Sequence, residues 1–564
     1  MSREEGILRR SSTESSSGYD VLENGDVVEY AKRRGGEETI SIPLPIKRMV
    51  EDATFDLAGS TVREFGLGTD VMLIDYAGSA GYDRVTDWQY YEVDIMDGYD
   101  GGDGDEGRRT PVNPRPLDPN QPSRTRERGG GVVRLFRGEL IGGTLGSKIR
   151  SRGLDARVWI KEYSGDDALS LAKAEKMGLG RLQSAWLRKV ANDRKDMLRR
   201  MEDGEWMEMA RRRYVDGLTN TPTRADDENL ITLLELLSSR GAQFASLLGE
   251  LNLDDYYDDE MADPNGWYKS LGVRPPKPGS VWLIFDYHGT FTASSYAVPS
   301  AIRRSRIPPK RGIFGWGIVE PPPLPPFRER ANYVVRGVLR GMMSALATAH
   351  DAGLVHRSIG RSSFVLSSVG QDKREATSPY AVVTSRLRVI LSDWGFSSLA
   401  MDAAREKEFG VRSRIFGIPG VDSYGDRDPS NDRAAIAVTE FAKAEDLHAL
   451  GFVFLAMLFT TLAEPATLTA PMPATDDDTW QRLFSDIFEK DMVQFREYCA
   501  NEEVWDSVVE LLDEEDGAGW DLLRSLLLSR ERLRDWYKDE DSGVEIVSAS
   551  GLLSHPFFRL KMSN

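Results

Sequence analysis

The chain has 564 residues, 40% hydrophobic and 29% charged, with 72 Lys and Arg against 90 Asp and Glu for a formal net charge of −18. That balance reads as soluble and globular, with room for one large or several small cores, and the acidity argues against a nucleic-acid surface, which needs clustered cations. The single cysteine, Cys499, excludes an internal disulfide and a zinc site built on thiolates.

Residues 1–41 are rich in Ser, Arg and Glu and are expected to form a disordered tail. Its opening, MSREEGILRRSSTESSSG, lacks the apolar stretch of a secretory signal. The Arg and Ser are reminiscent of an organelle transit peptide, such as a chloroplast one, while Glu4 and Glu5 weigh against it. Targeting stays open between cytoplasm and organelle. Residues 42–96 bring short apolar runs such as VMLIDYA, read as a small N-terminal extension that either stands alone or pairs strands with the main body. Residues 97–131 are Gly, Pro and charge with almost nothing to bury, a flexible linker.

After the linker, VVRLFRGELIGG and RVWIKEY read as strands with a glycine-rich turn between them. A charged helical stretch from Asp166 to about Gly217 follows, then the helical ENLITLLELLSSRG. FASLLGEL and VWLIFDYHG read as further strands, and Arg303 to Pro326 as a Pro-rich connection. Its EPPPLPPF either offers a polyproline II ligand or packs against its own lobe. FRERANYVVRGVLRGMMSALATAHDAG is a long amphipathic helix ending at Gly353. The strands FVLSS and LRVILSD bracket a polar excursion, Ser367 to Arg386, and from Glu440 onward the chain is almost all helix. The apolar run Leu450 to Leu462 is shorter than the ~20 residues of a bilayer span and reads as a buried core helix, so no integral membrane segment is expected.

Several marks, in one order along the chain, resemble the protein kinase family: GGTLGSKI and VWIKEY, VWLIFDYHG, LATAHDAGLVHRSIG, VILSDWGFS, EDLHALGFVFLAML, and DLLRSLLLSRERLR followed by LLSHPFF. The resemblance covers residues 132–560. It implies an α+β bilobal fold: a small antiparallel β-rich N-lobe over about 132–288 and a larger helical C-lobe over about 289–560, with inserts. It also implies ATP and Mg²⁺ as cofactors. Gly143 and Gly146 would turn over the phosphates and Lys161 would contact them. Phe285 would border the adenine, with backbone groups of Asp286 to His288 facing its edge. Asp393, opening Asp-Trp-Gly, would hold one Mg²⁺ through its carboxylate. Lys161 needs a helix glutamate; Glu228 is preferred, with Asp166 to Gly217 then an insertion, and Glu175 is the alternative. His356, Arg357 and Asp446 would hold structure, the arginine by meeting a phosphate or an acid of the segment after Asp393, and Arg534 takes the place of a characteristic arginine near the chain's end. Plain alternatives stand beside these: Lys161 as an edge-strand lysine, Asp393 as a turn cap with Gly395 supplying the positive φ.

The departures concern catalysis. Ser358 stands where the resemblance places the proton-accepting aspartate, Gly360 where it places a lysine, and Ser363 where it places the metal-holding asparagine. A serine hydroxyl without an activating partner is no base at neutral pH. The expected function is therefore an ATP-binding pseudokinase acting on protein partners as scaffold or allosteric regulator. A slow Ser/Thr kinase and an interaction module that binds no nucleotide are the alternatives.

Overall fold

The computed structural model describes residues 64–80, 132–200, 242–252, 279–289, 291–298, 324–368, 387–418, 433–467, 472–539 and 543–560, strands at 17–21, 27–32, 39–42, 310–311 and 318–319, and isolated positions between. Strands β1 (Ser17–Val21), β2 (Val27–Lys32) and β3 (Thr39–Ile42) form a small antiparallel sheet in the tail, where disorder was expected.

The main sheet is six-stranded. Its members are β4 (Glu64–Gly66), β5 (Val71–Ala80), β6 (Val132–Leu140), β7 (Arg157–Ser164), β8 (Leu247–Asn252) and β9 (Val281–Asp286), in the order β4-β8-β9-β7-β6-β5. All neighbours are antiparallel except β4 and β8. Both edges come from residues 64–80, so this part of the expected extension belongs to the N-lobe, which begins well before residue 132. The cause is burial: Phe65, Val71 and Leu73 need a sheet to cover, and without β5 the strand β6 would be left with an open flank. β7 is β-branched and aromatic, buried on both faces as a central strand should be.

Between β6 and β7 the expected glycine turn is a helix, α1 (Gly143–Ser151). Leu145 and Ile149 are buried one turn apart, Lys148 and Arg150 sit in the last turn, and the amides of Ile141 and Gly142 donate to the Asp70 carbonyl at 2.9 and 3.2 Å. α2 (Asp166–Arg200) leaves β7 directly and packs beneath the sheet.

The C-lobe is helical. α3 (Phe327–Asn332) passes through a π-helical turn, Tyr333–Leu339, into α4 (Arg340–Asp351). The Pro-rich run ends against its own lobe, where Arg330 donates to the Pro325 carbonyl at 3.1 Å; Glu320 to Pro323 lie outside the described residues. Beyond the two-residue pair β10 (Lys310–Arg311) and β11 (Ile318–Val319) come β12 (Leu354–Val355), β13 (Phe364–Ser368), β14 (Leu387–Leu391) and β15 (Ser398–Leu399). β13 pairs with β14 and β12 with β15. α5 (Ala400–Arg405), α6 (Lys407–Ile415), α7 (Arg433–Thr461), α8 (Met492–Ala500), α9 (Asp506–Leu527) and α10 (Ser529–Lys538) complete the lobe. α7 contains the apolar run and is the one helix among the described residues long and apolar enough to cross a membrane, yet 89% of its apolar window is buried in protein. Arg530, rather than Arg534, reaches the Glu445 carboxylate of α7, at 3.1 Å; Arg534 turns to Asp535. The architecture is the bilobal α+β arrangement that the resemblance implies, with a β-rich N-lobe and a larger helical C-lobe.

Candidate functional site

Side chains alternate along a strand, so Trp159, Lys161 and Tyr163 share one face of β7. That face meets α2 and the turn after β14. Lys161 Nζ lies 2.7 Å from Glu175 Oε1 and 3.2 Å from Asp393 Oδ1. The partner of Lys161 is thus Glu175, on the third turn of α2, and not Glu228, which lies outside the described residues. Residues 166–200 are the helix that carries this glutamate rather than an insertion. Burial alone would lower the Lys161 pKa, but the charges of Glu175 and Asp393 outweigh it and raise it, so the ammonium persists.

Glu175 is itself held. Tyr163 donates its phenol proton to Oε2, and the Trp394 amide lies 3.4 Å from Oε1. Tyr163→Phe is expected to leave Glu175 free to rotate and to cost about 1–2 kcal/mol. Thermal denaturation beside the Glu175→Gln variant checks this: additive losses would mean that the phenol does not act through Glu175.

Asp393 is one-quarter exposed and adopts the left-handed region itself, φ +64°, so the positive φ assigned to Gly395 falls two residues earlier. Gly395 serves close packing instead, since a Cβ there would stand 3.2 Å from Leu171 of α2. Trp394 is buried, with its indole N–H on the Leu391 carbonyl at 3.0 Å and its ring edge-on to His356 at 4.9 Å.

The loop from His356 to Ser363 hangs on Asp446. Its Oδ2 accepts from the His356 amide at 2.7 Å and lies 3.1 Å from His350 Nε2, and its Oδ1 accepts from the Arg357 amide at 2.8 Å. His356 turns Nε2 to the Ser392 carbonyl at 2.8 Å. Arg357 makes a two-pronged pair with Glu406, at 2.7 and 2.6 Å, the acid expected from the segment after Asp393. Ser358 is buried, and its carbonyl accepts from Ser363 Oγ at 2.7 Å. The Ser363 carbonyl in turn accepts from the Ser392 amide at 2.8 Å and hydroxyl at 3.0 Å. Where a proton acceptor and a second metal ligand would stand, the chain carries Ser358 and Ser363, and the Ser363 hydroxyl is engaged by the Ser358 carbonyl. Among the described residues, no three of His, Cys, Asp and Glu gather as a metal site.

The donor groups that an adenine nucleotide with Mg²⁺ would need can be compared with the residues at the two ends of this cleft. At the phosphate end, Lys161 supplies a cation and Asp393 a hard-oxygen ligand, which is the donor set such a group needs. At the base end, the backbone amide and carbonyl of Asp286 are already engaged. The Asp286 amide donates to the Ser246 carbonyl at 2.9 Å, and the Asp286 carbonyl meets His288 Nδ1 at 2.7 Å. Phe285 is buried with its ring 5.1 Å from Lys161 Nζ. Trp159, which the sequence reading passed over, donates its indole N–H to the Gly289 carbonyl at 3.0 Å and stacks on Tyr287 at 5.5 Å. Its signal was legible: a tryptophan two residues before Lys161 must point the same way. Gly143 and Gly146 lie in α1, at the end of the sheet where Val158 pairs with Asp286. The connection at the other end, where β7 runs into α2, leaves β5 through Gly78, Ser79 and Ala80.

His288 gives this end a pH signature. Burial first, then the charges of Arg388 and Lys161, push its pKa down from 6.5 to about 4 against the pull of Asp286. The unfolded chain takes up a proton between these values and the folded chain does not, so stability is whole above 6.5 and is lost as the pH falls toward 4, by ~3 kcal/mol. His288→Gln is expected to flatten the denaturation profile across that window; an unchanged slope would exclude His288 as its source.

No protein-family model matches the chain. The chain is 22% identical over 308 residues to the serine/threonine-protein kinase STN7, chloroplastic, of Arabidopsis thaliana, covering 52% of this chain and 46% of that protein. It thus spans about half the length of the curated relative it matches. Among solved structures, titin kinase and its flanking domains aligns with a TM-score of 0.32 at 10% identity, over 95% of this chain and 58% of that one. The homology is kinase-like, at the level of the family.

Proposed function

We propose that the chain is a pseudokinase, a kinase-like fold that performs no phosphoryl transfer and works on protein partners as scaffold or allosteric regulator. The observation that carries this reading is that Ser358 and Ser363 occupy the loop positions of the proton-accepting aspartate and the metal-holding asparagine, with the Ser363 hydroxyl tied back to the Ser358 carbonyl. Transfer to a hydroxyl needs a group that orients it and takes its proton. A fold kept rigid around an empty-handed loop suits recognition: Arg357 is pinned by Glu406, and Lys161 by Glu175 and Asp393.

The test is label transfer from radiolabelled ATP to generic protein substrates, with Asp393→Ala as control. No transfer above the control is expected. Transfer by the wild type that disappears in the variant would establish the second reading, a slow Ser/Thr kinase. That reading draws on the contact of Lys161 with both acids and on the activity named for the Arabidopsis relative. Phosphoryl transfer depends largely on positioning and charge neutralisation, which is why the experiment is needed.

A further inference from the structure

We propose that the indole of Trp159 occupies the place where a purine base would lie, so that the chain's own side chain fills the base end of the cleft. The cleft then takes adenine compounds only when that ring is removed. This deepens the pseudokinase reading, and rests on it only for the identity of the cleft.

Three features locate the indole. Lys161, on the same face of β7, touches α2 through Glu175 and the C-lobe through Asp393, which identifies that face as the one turned to the cleft. Trp159 stands two residues, ~7 Å, nearer the segment that leaves the sheet: Lys161 pairs with Leu283, Trp159 with Phe285. Its N–H then reaches the carbonyl of Gly289, beyond the end of β9. A Cβ at Gly289 would lie 3.7 Å from the Leu366 carbonyl of β13, so the residue that receives the indole N–H itself lies against the strand pair of the other lobe.

The chemistry matches a base. Indole is a flat bicycle with one N–H donor, and here that donor meets a backbone carbonyl while the ring stacks on Tyr287, 21° from parallel. Trp159 is 4% exposed, so the contact is dry. The lobes are thereby joined by a covalently attached occupant whose effective concentration no soluble ligand matches. Closure is independent of nucleotide, as a constant scaffold requires.

The experiment uses the full chain and its Trp159→Ala variant, melted alone and with adenosine, ATP plus Mg²⁺, or indole. Wild type is expected to show no shift with any of the three, and to retain no ATP in equilibrium dialysis. The variant is expected to melt lower and to regain several degrees with indole and with adenosine, by mass action on the vacated volume. Retention of ATP by wild type overturns the proposal, as does a cooperatively melting variant that neither compound stabilises. Should the alanine variant fail to fold, Trp159→Leu keeps apolar cover on the sheet and carries the same expectation. Label transfer by wild type would defeat the pseudokinase reading and this inference together. ATP binding without transfer would defeat this inference alone.

Discussion

Asp446→Ala is expected to cost about 3–5 kcal/mol and to release the loop from His356 to Ser363. One buried carboxylate accepts two backbone amides and faces His350, and no water reaches those donors once it is gone. Burial would raise the pKa of this aspartate, but the hydrogen bond and charge of His350, with His356 behind them, hold it below the ordinary 3.8. The sign follows. A carboxylate depressed in the folded state contributes stability that is present above 3.8 and is lost as the pH falls through the lower folded value. The alanine variant should therefore melt lower at neutral pH and show a shallower acid limb than wild type. Parallel acid limbs would mean that Asp446 is not the group that ties loop to helix.

The second large effect lies on the other face of the sheet. Glu162 is fully buried and Arg134 nearly so, joined by two short bonds of 2.5 and 2.6 Å between β7 and β6. Burial pushes the Glu162 carboxyl up even against the lowering by Arg134, a sign of how much desolvation this pair carries. Glu162→Leu takes the carboxylate away from the buried guanidinium above Phe136 and is expected to cost about 3–5 kcal/mol. Arg134→Met strands the acid at similar cost. The double variant removes both charges and should return to within about 1 kcal/mol of wild type. A double-mutant cycle by denaturant melting measures this, and additive losses would defeat the account. Lys161, the next residue along β7, would meanwhile keep its own contacts on the cleft face, since the strand alternates.

Much of the site was legible because its signals are local. Lys161, Asp393, His356, Arg357 and Asp446 each sit in a short apolar or turn context that names its place, and the structure brings all five to one cleft and its floor. The glutamate was harder. Glu175 and Glu228 both follow Lys161 on helical sequence, and the choice depends on which helix docks beneath the sheet. Gly143 and Gly146 misled for a related reason: glycines before a strand look alike whether the backbone turns or coils, and buried Leu145 with Ile149 decided for a helix.

By itself, the sequence determined the alternation of faces on β7, the burial of α7, the absence of an internal disulfide, and the serines of the loop, because period, composition and residue identity are properties of neighbours in the chain. Only the tertiary structure decided that residues 64–80 close both edges of the sheet, that Glu175 meets Lys161, and that Trp159 reaches Gly289. Those facts join residues as far apart in the chain as Gly66 and Asn252. Such contacts depend on how elements pack as a set, and packing is settled by the shape and burial of every partner at once rather than by any stretch read alone.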